Sequence, residues 1–183
     1  MAVSLQQITQ YLDNRGWKYR VDAAAMQIVT GVEAENVDRF LIIIALKEGG
    51  EYIELAAPQL LKVKDHVYKG VLFQTMLSIA WEVKLLRWEY DPSDGEVRAS
   101  IAVALEDATL TERQFNRMLG ALIELVDVVA MPRLQAVLAT GEDPGQKGRE
   151  QRLAEALREM LPEGGLAELQ QAIAQLQQQE SEG

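Results

Sequence analysis

His66 is the only histidine of the chain, and cysteine is absent. A histidine pair, a facial triad and a thiolate ligand set are therefore out of reach within one copy, and most familiar hydrolases go with them. His66 follows Asp65 at the expected start of a helix, where an imidazole can serve as a general base or simply end a helix at the surface. The second use asks for no partner and is the reading adopted. Glu33, Glu35 and Asp38 form an acidic run that suits a hard cation such as calcium, yet no ladder of Asn, Asp and Gly ligands accompanies them. A solvated loop accounts for them. The cluster Asp91-Pro92-Ser93-Asp94-Gly95 opens like a calcium loop but places its glycine fifth, where the EF-hand loop needs glycine sixth and glutamate twelfth. It reads as a turn.

Phosphate chemistry fares no better. In Gly141 to Gly148 the glycines Gly141 and Gly145 are four apart, and Gly148 stands where a phosphate-binding loop carries Ser or Thr. Linker chemistry remains. Lys62, Lys64 and Lys69 gather charge that suits an anion, or a solvated, protected sheet edge. Trp17, Trp81 and Trp88 read as core fillers, Trp81 lying on the less regular side of its helix, with binding anchors as the other use of the type. No nucleophile elbow, dinucleotide fingerprint or kinase signature occurs. No catalytic, cofactor-binding or metal-ligating residue is assigned.

The chain of 183 residues is 48% apolar and 25% charged, with net charge −10. Those proportions are ordinary for a folded globular protein. The acidity disfavours a nucleic-acid partner. No apolar run approaches the roughly 18 residues of a membrane span, and residues 1–10 lack the pattern of a signal peptide, so neither membrane nor export is expected. Absence of cysteine suits the cytoplasm. All 11 aromatic residues lie between Tyr11 and Phe115, which places a folded body at 1–140 and a linker with an acidic helical tail at 141–183. The tail holds four basic and nine acidic residues.

Ser4 and Gln7 stand at capping-box spacing before Leu5, Ile8 and Leu12, with Gly16 as a stop, which predicts a helix over about 5–15. Alternation around Trp17–Val21 and Met26–Val32 predicts two short strands. Phe40 to Leu46 is apolar on both faces and pairs with Tyr52 to Leu55 across Glu48-Gly49-Gly50-Glu51. Beyond Pro58, Asp65 is a candidate N-cap for a helix over 66–81. Tyr68, Leu72, Met76 and Ile79 share one side of it, and Val67, Val71, Leu77 and Trp81 populate the other. Leu86, Trp88 and Tyr90 alternate up to the Asp91–Gly95 turn, and Val97 to Leu105 alternate after it. Thr111 with Gln114 repeats the capping-box spacing before a stripe from Phe115 to Val129, which Pro132 should kink or break.

This order, α-β-β-β-α-β-β-α, resembles the type III secretion chaperone-like superfamily, and within it the YbjN-type bacterial family. The hairpin Leu85–Leu105, the run Leu110-Thr111-Glu112-Arg113-Gln114-Phe115 and the stripe after it carry the resemblance, over about residues 1–140. It implies an α+β fold, a mainly antiparallel sheet of five or six strands with packing helices, and acidic, non-catalytic homodimers. The chaperones of that superfamily bind an extended protein segment.

Two functional classes follow. The first is a non-catalytic protein- or peptide-binding module, chaperone-like or regulatory, with itself and a protein or peptide client as partners. The second is a small-molecule-binding protein or an enzyme working by carboxylates alone. The two-sided helix favours the first, because Val67, Val71, Leu77 and Trp81 need a cover that a second copy supplies in a two-fold dimer. The competing cover is the tail, where Leu153, Leu157 and Met160, and then Leu166, Leu169, Ile173 and Leu176, recur at helical spacing. Helices that short are marginal unless docked. The alternatives for the tail are a solvated acidic appendage and a strap over the groove or sheet face of the body.

Overall fold

Residues that alternate between oil and water can fill a sheet only if one face is dry, and the long strands of this chain alternate in that way. In the computed structural model, which describes residues 2–83, 85–146 and 151, six strands form one antiparallel sheet. They are β1 (Tyr19–Asp22), β2 (Gln27–Glu33), β3 (Arg39–Lys47), β4 (Tyr52–Lys62), β5 (Arg87–Tyr90) and β6 (Glu96–Ala104), in the order β1-β2-β3-β4-β6-β5. The register sets Ile28 beside Ile44, Ile44 beside Leu55 and Leu55 beside Ile101. All four are buried, each worth about 1.5–3 kcal/mol relative to exposure.

Helices α1 (Leu5–Asn14), α2 (Lys69–Val83), α3 (Glu112–Glu124) and α4 (Met131–Thr140) add Leu12, Leu72, Ile79, Phe115, Leu119 and Leu134 to the same core. The expected architecture, α+β with a mainly antiparallel sheet of five or six strands, is present with six. Four strands rather than the expected three separate α1 from α2, because Tyr52–Lys62 pairs with both β3 and β6 as a strand of its own. At α1 the Ser4 hydroxyl accepts the Gln7 N–H at 3.2 Å, but the Gln7 side chain does not return to Ser4. It donates instead to Tyr11 Oη and to the Leu110 carbonyl, at 2.7 and 2.9 Å, and so ties α1 to the start of α3. Gly16, at φ +68°, ends α1 with Trp17 N–H donating to Leu12 O at 3.0 Å. At Thr111 the capping box is complete in both directions.

Three local expectations need correction. The second helix starts at Lys69, not 66, and Asp65 does not cap it. Val63 is held back by its N–H bond to Gly95 O at 2.9 Å, and residues 63–68 spend themselves turning: His66 N–H donates to Val63 O, and His66 Nδ1 accepts the Tyr68 N–H at 3.2 Å. The fourth strand passes through Pro58 to Lys62, because the pairing register shifts between Ala57 and Leu61, where the missing N–H breaks no ladder bond. Gln59 there has φ +55° and donates its N–H to Glu96.

Pro132 is the third case. The helix neither stops nor breaks, since a π-helical segment, Leu125–Ala130, widens the coil between α3 and α4 and leaves the proline in the first turn of α4, where it is tolerated. The same segment carries the buried Asp127. Its carboxylate accepts the N–H groups of Glu35 and Asn36 at 2.8 Å each and of Val37 at 3.1 Å. Three backbone donors of the β2–β3 connection thus end on one carboxylate.

The described residues up to Glu142 form one compact unit. The tail stripes from Leu153 to Leu176 lie outside the described residues.

Asp127→Asn replaces one acceptor oxygen with a donor facing N–H groups. Unsatisfied buried donors cost about 1–3 kcal/mol, so the urea midpoint should fall by a matching amount and amide exchange at Glu35–Val37 should accelerate. An unchanged midpoint would refute the role given to this carboxylate.

Candidate partner-binding surface

The α2 residues divide as the helical period requires. Leu72, Met76 and Ile79 are buried against the sheet, while Leu77 is 72% and Trp81 76% exposed. Val67, 82% exposed, stands in the turn before the helix. Val71 is half-buried against the core. Of the four expected interface residues, three therefore present apolar area to the outside and the fourth presents part of its own. Trp81 is not a core filler, which corrects one expectation; Trp17 and Trp88 are partly buried against the core. Just past α2, Leu85 borders an apolar cleft of about 190 Å³ with Val103, Leu105, Leu110 and Met118. Alternation along β6 points Val103 inward, and nothing in the sequence says that the helices stop short of it.

The chemical candidates do not converge. Ion pairs and backbone carbonyls occupy the three lysines: Lys62 lies 3.6 Å from Asp94, while Lys64 and Lys69 donate to the carbonyls of Ser93 and Lys64, both at 2.8 Å. Asp91 accepts the Ser93 N–H at 2.8 Å, and bonds from Ser93's side chain and backbone hold its carboxyl below the ordinary range. The turn docks closely, since a Cβ on Gly95, at φ +83°, would fall 2.4 Å from Lys64 N. Glu33 reaches Arg39 at 3.3 Å, and the loop after it turns its N–H groups to Asp127 rather than its oxygens to a centre. Among the described residues no group of three His, Cys, Asp or Glu is placed to hold a metal, and no helix is long and apolar enough to cross a membrane.

The second surface is the sheet face opposite the helices. By alternation it carries Arg20, Arg39, Lys47, Lys62, Arg87 and Arg98 against Asp22, Glu33, Glu54, Glu89 and Glu96. At its centre Glu54, only 9% exposed, receives Lys47 Nζ at 2.7 Å and Arg87 Nη2 at 2.6 Å. Arg87 reaches Glu89 at 3.0 Å, and Arg98 pairs with Glu89 in turn. Burial pushes the Glu54 carboxyl up, but the Lys47 hydrogen bond and the charges of Lys47, Arg87 and Arg98 outweigh it and hold the group below its ordinary value. Buried Ser100 joins the network, its Oγ accepting Arg87 Nε at 3.2 Å, and the ladder is otherwise a row of alternating signs.

No family model and no curated protein matches the chain. Among solved structures, the crystal structure of YbjN from E. coli, described as a candidate transcription regulator, superposes with a TM-score of 0.57 at 14% identity. The match covers 72% of this chain and 92% of that one. The fold is YbjN-like. Two complexes superpose with lower TM-scores: the HopA1–SchA chaperone–effector complex, with a TM-score of 0.45 at 15% identity over 64% of this chain and 84% of the other, and the ExsC–ExsE complex, with 0.47 at 16% over 68% and 92%.

In the YbjN-like sheet, Glu54 adds stability above its ordinary value of 4.5 and loses that contribution as the pH falls through its depressed folded value. Its partners are half-exposed, so Glu54→Gln should cost on the order of 1–2 kcal/mol at neutral pH, between exposed and fully buried pairs. The difference from wild type should shrink on acidification. A gap that stayed constant from neutrality into the acid range would contradict this account.

Proposed function

We propose that this protein is a non-catalytic protein- or peptide-binding module, chaperone-like or regulatory, that works as a homodimer in the cytoplasm. The observation that carries the reading is the apolar face along α2, with Leu77 and Trp81 outward on one side of the helix and Val67 in the turn before it. Each such side chain gains about 1.5–3 kcal/mol on burial, and a two-fold axis through α2 counts every contact twice. Val67, Val71, Leu77 and Trp81 form the contact in this reading. The YbjN-like fold supports the class of protein, and the client is a protein or peptide segment rather than a metabolite. Absence of cysteine suits a reducing compartment.

Sedimentation at micromolar concentration should show a dimer. Leu77→Asp, which disturbs no buried residue, should weaken it by at least ~10-fold in Kd. A wild-type monomer under those conditions would sink the dimer. Affinity purification from lysate separates the two forms of the reading: one dominant partner marks a regulator, many extended clients a chaperone.

A further inference from the structure

Where α1 turns into β1, the open sheet face holds a depression of about 600 Å³ whose lining includes Arg15, Trp17, Lys18, Gly31, Arg39 and Leu41. Gly31, Glu33, Arg39 and Leu41 face it by the strand alternation, whereas Trp17 packs against the core on the other side. Leu41 is 48% exposed, while the Arg15 guanidinium, 5.6 Å from the centre of the Trp17 ring, donates to Asn116 Oδ1 of α3 at 3.3 Å and so belongs to the helix side. Glu33 is the only carboxylate in the lining, and it pairs with Arg39 at 3.3 Å with both side chains largely in water. Exposed pairs of this kind hold each other by about 0–1 kcal/mol, so Arg39 is open to exchange. Gly31 stands inside β2 at an ordinary φ, and a Cβ built on it would meet nothing within 4 Å. Glycine within a strand weakens it, and here its result is a notch opposite Leu41, its partner in the register.

Charge decides what fits. The strands of this face carry six of the chain's 18 basic groups and only five of its 28 acidic ones. Its balance is near neutral, unlike that of the chain as a whole. At physiological salt the Debye length is about 8 Å, so an anionic segment in the depression meets Lys18 and Arg39 at close range while the carboxylates of distant faces are screened. A phosphate backbone would find the cations but no use for the apolar floor.

We propose that this depression binds an acidic peptide segment of a partner protein, seating one apolar side chain over Gly31 beside Leu41 and its flanking carboxylates on Lys18 and Arg39. The inference rests on the reading of the chain as a peptide-binding module and assigns that role to the sheet side, away from α2.

The test uses a labelled short peptide of glutamates around a central leucine, its counterpart with lysine for glutamate, and the full chain, read by fluorescence anisotropy. The glutamate peptide should bind at least ~10-fold more tightly than the lysine peptide and should weaken with added salt. Gly31→Val, which fills the notch with a residue suited to a strand, and Arg39→Glu should each weaken binding about tenfold with the melting temperature maintained or raised. Leu77→Asp should leave it unchanged. Equal binding of the two peptides, or binding indifferent to Gly31→Val, would overturn the proposal. Loss of binding in Leu77→Asp alone would overturn it too while leaving the peptide-binding reading in place. A shift in sedimentation caused by Gly31→Val would give the depression to a second copy and equally count against the proposal.

Discussion

Ile28, Ile44, Leu55 and Ile101 stand shoulder to shoulder across four strands, and the rest of the molecule answers to the need to keep that row dry. A sheet of six antiparallel strands has two faces, and the helices here pack on one. Every connection must therefore bring its helix back to the same side, and polar groups stranded on the way need partners. Asp127 is the clearest case. The β2–β3 connection ends under the helix layer, where its N–H groups have no strand to pair with, and the π-helical segment swings a carboxylate to meet three of them. The irregular coil, the proline after it and the pinned loop are one solution to one problem of hydrogen-bond satisfaction.

Much of this arrangement was written in local patterns. The hairpin around Asp91–Gly95 was legible because alternation, turn residues and length agreed, and the Thr111 capping box because its spacing leaves few other uses. The features that escaped depend on what lies across space. Pro58 reads as a strand end until the register of β6 shows a bulge to hold it. Asp65 reads as an N-cap until Val63 is seen tied to Gly95, which delays the helix by a turn and leaves His66 to accept the N–H at its start. Asp127 sits among apolar residues of a helical stripe and carries no sequence sign of its partners ninety residues earlier.

The candidate surface was legible in composition more than in chemistry. The apolar second side of α2 shows in the spacing of Val71, Leu77 and Trp81, and the structure leaves Leu77 and Trp81 outward. The open sheet face could not be found that way, because its cations come from five strands, and only the register collects them. Phe40 to Leu46 reads as apolar on both sides. Its outward members meet a mixed surface: Leu41 is half in water, while Ala45 is buried beside Glu54.

The two surfaces lie on opposite sides of the sheet, and that separation has a mechanical consequence. A two-fold contact through α2 joins helix layer to helix layer, so both open sheet faces of such a pair point outward and stay available together. The inner contact would be apolar, driven by area removed from water and little affected by salt. The outer faces bring alternating charges around a small apolar floor, which favours selection by sign and a response to ionic strength. A client bound on one outer face leaves its symmetry mate free, so a segment long enough to cross the dimer could engage both faces, and the second engagement would gain from the effective concentration set by the first. An acidic chain with one near-neutral face is thus suited to hold a partner without holding every polyanion it meets.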